Sequence, residues 1–122
     1  MSLNFSKKVA PFVEAELENA IRARSEGNAK QEFFYLERAH VLGQESTYWH
    51  VKVHVLMLVW AAHNRSFREL LGQAFRIIGA ATKTAFGLVP QGNTGGANIS
   101  PFKKMPIEPE LAALIQKAKS KV

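Results

Sequence analysis

A chain of 122 residues with 47% hydrophobic content and a formal net charge of +6 is long enough to bury a core without disulfides or a structural metal. It contains neither cysteine nor aspartate, which excludes thiolate nucleophiles, disulfides, cysteine-type zinc sites and iron–sulfur clusters together. Any carboxylate chemistry must come from glutamate.

Apolar positions Phe5, Val9, Phe12, Val13, Leu17, Ala20 and Ile21 recur at helical spacing, with Glu14, Glu18, Arg22 and Arg24 on the other faces. A first helix is expected over 6–25, with Pro11 in or near its first turn and Gly27 as its stop signal. Asn28, three residues before Gln31, is an N-cap for a second helix over 29–43. Phe33, Leu36, His40 and Gly43 fall along its inner stripe.

Ser46 or Thr47 caps a third helix over 47–63, apolar on nearly every side and therefore expected to be buried. Its longest apolar run, 51–62, is broken by Lys52 and His54 and is far short of the roughly 20 residues of a membrane span. Ser66-x-x-Glu69 reads as a capping box opening a fourth helix over 66–86. Pro90, Gly95-Gly96, Pro101 and Pro106 punctuate a long loop over 87–107, and a short amphipathic helix over 108–119 has Pro109 at its start. The expected class is all-α: one domain, 1–122, built as a bundle of five helices.

All four histidines fall in one stretch of the chain, His40 near the end of the second helix and His50, His54 and His63 in the third. Glu37-x-x-His40 and His50-x-x-x-His54 each place two side chains on one helical face. In an antiparallel hairpin turning near 43–46, positions equidistant from the turn face each other. His40 then lies opposite His50, and Glu37 opposite His54. Imidazole and carboxylate converging from facing helices suit zinc or another divalent transition metal, so Glu37, His40, His50 and His54 form a candidate metal site. His63 is too far along its helix to join it. The alternative is a structural polar cluster in which Glu37 pairs with a histidine, because an unpaired buried carboxylate is expensive.

The segment from Gly27 to Glu45 resembles the turn and second helix of a tetratricopeptide repeat, with Gly27, Leu36 and Ala39 at small or apolar positions. Ala23 and Gly43 depart from its aromatic positions and no second copy follows, so the resemblance implies a close helical hairpin and not a peptide-binding array. A broader resemblance rests on Glu37-Arg38-Ala39-His40-Val41-Leu42-Gly43-Gln44, Lys83-Thr84-Ala85-Phe86-Gly87-Leu88-Val89-Pro90 and Gln91-Gly92-Asn93-Thr94-Gly95-Gly96-Ala97-Asn98. These runs are similar to a small bacterial family known only as a domain of unknown function. That resemblance implies no activity, cofactor or site.

Two further features point to anions or a partner. Arg65, Arg68, Arg76 and Lys83 recur at helical spacing, and the loop residues Asn93, Gly95 and Gly96 can present backbone N–H groups. No aromatic residues interleave with these basic side chains for base stacking, and much of the positive charge lies in the last fifth of the chain, so nucleic acid is not the expected partner. No nucleophile elbow or phosphate-binding loop is present. A cytoplasmic binding or accessory module is expected in place of an enzyme. Its alternative form is a protein-interaction module, with a protein partner or a second copy of the chain and no metal.

Overall fold

The computed structural model describes residues 3–83, 93–97 and 104–120, without the side chains at 3, 82 and 83. Five helices are present among them: α1 (Leu3–Ser25), α2 (Ala29–Gly43), α3 (Thr47–His63), α4 (Phe67–Lys83) and α5 (Pro109–Lys119). They form a compact helical bundle. The expected continuation of the fourth helix to 86 lies outside the described residues, as does most of the 87–107 loop.

The local signals act as expected at most boundaries. Asn28 Oδ1 accepts from Gln31 N at 3.0 Å, and Ser46 Oγ accepts from Trp49 N at 3.3 Å, each satisfying a first-turn N–H that has no helical partner. Gly27, at φ +73°, ends α1 in a Schellman motif: Asn28 N donates to Ala23 O at 2.9 Å and Gly27 N to Arg24 O at 3.0 Å. The end of α3 repeats this geometry with a non-glycine residue. Ser66 N donates to Ala61 O at 2.9 Å and Arg65 N to Ala62 O at 3.3 Å, with Arg65 at φ +55°.

Two expectations need correction here. The first helix begins three residues earlier than its periodicity predicts, because buried Phe5 anchors an extra turn and Ser6 O accepts Trp49 Nε1 at 2.9 Å. Pro11 therefore lies inside α1 and not in its first turn. The third helix is not buried all round: Trp49, His50, Val53, His54, Met57 and Ala61 face inward, whereas Tyr48, Val55 and Val59 are exposed.

α1 pairs with α2 and α3 with α4; α2 packs on α3, and α5 lies across α1 and α2. Among the helices α4 touches α3 alone. The core joins Phe5, Val9 and Val13 of α1 to Leu36 and Leu42 of α2, Val53 and Met57 of α3, and Leu111 and Ile115 of α5. Complete burial of such side chains stabilises the fold by about 1.5–3 kcal/mol each. Gly43 lets α2 meet the start of α3, since a Cβ there would lie 2.6 Å from Trp49 Cβ. Arg38 ties α1, α2 and α5 together through Glu16 (3.0 Å), Glu108 (3.2 Å) and Glu110 (3.4 Å).

Candidate metal centre

The α2–α3 hairpin carries His40 from one side and His50 and His54, one turn apart, from the other. All three are buried. His40 falls between the α3 pair, with ring centroids 4.8 Å from His50 and 4.6 Å from His54. One ring nitrogen from each histidine lies within 4.8 Å of the others. Three histidines are thus close enough together for one metal ion to reach them all.

The protons of this cluster can be assigned from its neighbours. His40 Nδ1 lies 2.6 Å from the Asn93 carbonyl oxygen, which can only accept, so Nδ1 carries the hydrogen. His54 Nδ1 lies 2.6 Å from Gln73 Oε1. The orientation of that amide is fixed in turn, because Gln73 Nε2 donates to Glu69 Oε2 at 2.6 Å and to Gly95 O at 2.8 Å. Both of those partners are acceptors, which leaves Oε1 facing His54, so His54 Nδ1 also carries its hydrogen.

In the neutral rings both Nε2 atoms are then bare lone pairs. They face each other at 3.0 Å. Two lone pairs at that distance repel unless a cation lies between them, and a proton is a poor one here. Burial holds His40 well below the ordinary histidine range, reinforced by His54, His50 and Arg76. Burial likewise lowers His54 to about 4 against the opposing hydrogen bond from Gln73.

The outer ring of this site comes from α4 and residues 93–97. Glu69 Oε2 accepts both Gln73 Nε2 and, at 2.9 Å, Ala97 N. Gly95, at φ +85°, lies flat on the His40 ring, and a Cβ there would fall 2.6–2.8 Å from its atoms. Gly72 admits the same segment to α4, since a Cβ at 72 would lie 2.5 Å from Ala97 Cβ. Arg76 faces the cluster as well. Burial lowers its pKa and Glu69 partly restores it.

The predicted residues are therefore divided. His40, His50 and His54 come together, and Glu37 is not among them. Because His40 falls between the two α3 histidines, Glu37, a turn earlier on α2, lies beyond their level. Glu37 forms no ion pair with a histidine among the described residues. It lines a separate cleft of about 180 Å³ with Phe34, Val41, Met105, Ile107 and Leu111. Burial, with Glu69 adding to it, pushes its carboxyl up to about 7.

His63 is exposed and meets Arg24 Nη2 through Nδ1 at 3.4 Å, apart from the cluster. The basic stripe separates too: Arg65 occupies the turn after α3, Arg68 is exposed, Arg76 faces the histidines and the Lys83 side chain lies outside the described residues. In the loop, Asn93 Oδ1 accepts the Gly95 N–H at 2.8 Å, and Gly96 is buried.

Gln73 and Glu69 went unread in the sequence as site residues. Ser66 caps α4 through Glu69 N at 3.4 Å, but the Glu69 carboxylate turns inward in place of closing the box. Their signal was a polar i, i+4 pair on a helix rich in apolar residues.

Residues 7–115 match the model of a family described as a protein of unknown function, DUF3703. The chain belongs to that family. No curated protein and no solved structure matches it, so the family supplies no chemistry for the histidine cluster. Among the described residues no helix is long and apolar enough to cross a membrane.

Proposed function

We propose that this protein binds a divalent transition metal, zinc being the simplest choice, through His40, His50 and His54. The observation that carries the reading is the pair of unprotonated Nε2 atoms held face to face at 3.0 Å in a buried site. Two imidazole nitrogens on a tetrahedral zinc at about 2.0–2.1 Å stand about 3.3 Å apart. Admitting the ion therefore needs only a few tenths of an ångström of ring movement at that pair, and His50 closes from the third side.

The outer contacts support the same chemistry. A metal-bound histidine donates its second ring N–H to a carbonyl or carboxylate, which fixes its tautomer and raises its basicity. The Asn93 carbonyl and the Gln73 amide oxygen serve His40 and His54 in this way, and Glu69 behind Gln73 supplies negative charge. Three protein ligands leave a fourth position, as in zinc sites that hold water or an exchangeable ligand. Imidazoles kept neutral by burial also compete less with protons for the metal, so binding should persist into acid below the range of an exposed histidine site.

Calorimetric titration of chelator-treated protein with zinc sulfate, together with elemental analysis after desalting, tests the reading. One equivalent should bind to the wild type and be lost in His40→Ala and His54→Ala, with far-ultraviolet circular dichroism confirming that both variants fold. Wild-type protein that takes up no stoichiometric zinc, cobalt or copper overturns it, as does uptake unchanged in both variants. The cluster would then be a purely structural histidine pair sharing a proton.

A further inference from the structure

The outer face of α4 is apolar and exposed among the described residues. Phe67, Leu71, Phe75 and Ile78 are 75%, 72%, 70% and 71% exposed, although singly exposed hydrophobics are ordinary and a continuous row of them is not. The row has a definite period: Phe67, Leu71, Ala74, Ile78 and Ala81 are all exposed and follow one another at steps of four, three, four and three. That is the a/d seam of a helix made to lie along another helix. Val55 and Val59 of α3, the helix that packs on α4, are 39% and 46% exposed as well.

We infer that this face pairs with the same face of a second copy of the chain, α4 running antiparallel to its partner about a two-fold axis at Ala74. The sizes of the seam residues favour this pairing. With Ala74 on the axis, Phe67 comes opposite Ala81, Leu71 within one residue of Ile78, and Ala74 opposite Ala74. Large side chains then face small ones at the ends, and the backbones approach most closely at the centre. A parallel pairing would set Phe67 on Phe67 and leave gaps at both alanine levels. A surface that complements itself under a two-fold rotation is what an isologous dimer requires.

The area agrees with this occupant. Since a phenylalanine carries about 150–250 Å², the six large apolar side chains expose roughly 600–700 Å² in all. With Ala74, Ala81 and the stem of Arg68 this approaches the ~800 Å² per partner of a standard stable interface. The α3–α4 hairpins of two copies would together make a four-helix layer with the histidine clusters on its outer sides. The dimer does not rest on metal binding and stands or falls separately.

The chain has no cysteine, which makes a single introduced thiol a clean probe. Light scattering on the full chain from about 1 to about 100 µM spans the affinities expected of an interface this size. It should return twice the 13.6 kDa chain mass, and Leu71→Glu should halve that value without loss of helicity. Ala74→Cys, on the axis, should form an intermolecular disulfide with diamide at least about tenfold faster than Glu18→Cys on exposed α1, since only the former meets its own copy within disulfide reach. A chain mass of 13.6 kDa throughout, a dimer that Leu71→Glu leaves intact, or Ala74→Cys crosslinking no faster than Glu18→Cys overturns the inference. The crosslinking arm decides the question even if Leu71→Glu fails to fold.

Discussion

α1 and α4 are built on opposite plans. α1 buries Val9 and Val13 completely and turns Glu14, Glu18, Arg22 and Arg24 to solvent, largely the arrangement that hydrophobic burial produces, with Glu16 buried against Arg38 and Ile21 exposed as its exceptions. α4 buries Gln73 completely and turns Phe67, Leu71, Phe75 and Ile78 outward. A helix that places polar groups inside and large apolar groups outside gives up stability on both faces unless each meets a specific partner. Inside, Gln73 and Glu69 orient a histidine. Outside, the seam is the face inferred to meet a second copy. The contrast separates residues that hold the fold from residues proposed to carry function.

The largest expected effect belongs to the segment that covers the cluster. Gly95→Ala requires a Cβ in a left-handed backbone and within 2.6–2.8 Å of the His40 ring. Chemical denaturation should show a loss of about 2–4 kcal/mol, combining backbone strain and overpacking. A loss below about 0.5 kcal/mol, the level of an ordinary surface change, would mean that 93–97 does not lie on His40.

Next comes the polar face of α4. Gln73→Leu removes the acceptor of the His54 Nδ1–H while keeping the side chain's bulk, and zinc affinity should fall about 10–100-fold. The matched change in the seam, Leu71→Gln, should leave zinc affinity within about twofold, since it lies on the far side of the helix. Equal effects of the two would erase the distinction between the faces.

The titrating groups sharpen the comparison through pH. Glu37 has its folded pKa raised from 4.5 to about 7, so its contribution is present below pH 4.5 and is lost as pH rises through about 7. His54 is lowered from 6.5 to about 4, so its contribution is present above pH 6.5 and is lost as pH falls through about 4. Metal-free protein should therefore carry opposing slopes between pH 4.5 and 6.5. Glu37→Gln should remove the first slope and raise stability at pH 8 by about 1–3 kcal/mol, reduced from the full shift because the side chain is partly exposed. An unchanged urea midpoint at pH 8 would show that Glu37 is already neutralised by a partner.

The smallest effect concerns the turn feeding α4. Arg65 holds the left-handed position of the α3 Schellman motif at φ +55°, and Arg65→Gly should stabilise the protein by about 0.5–1 kcal/mol. A destabilised variant would show that the Arg65 side chain is itself in use.

How much of this could be read from the chain follows the range of the interactions. Caps and stops are local, and Asn28, Ser46 and Gly27 announced the boundaries they make. The gathering of His40 with His50 and His54 needed only one hairpin and was also legible. Glu37 was misplaced because its position depends on the offset between α2 and α3, which sequence spacing leaves open by a turn. Gln73, Glu69 and the Asn93 carbonyl were invisible as a group, since Gln73, backed by Glu69, and Asn93 meet the histidines across 19 and 53 residues of chain. The exposed seam of α4 was not legible, because composition records that a face is apolar and not what covers it.

The central claim is that His40 and His54 present unprotonated Nε2 atoms to one cation. Long-range 1H–15N correlation spectra of the imidazole side chains, recorded at neutral pH while zinc sulfate is added to chelator-treated protein, read tautomer and ligation together. The account predicts Nδ1-protonated rings for both residues and Nε2 resonances that shift together and saturate at equimolar zinc. A ring protonated at Nε2 in either residue, or Nε2 resonances that equimolar zinc leaves in place, would contradict it.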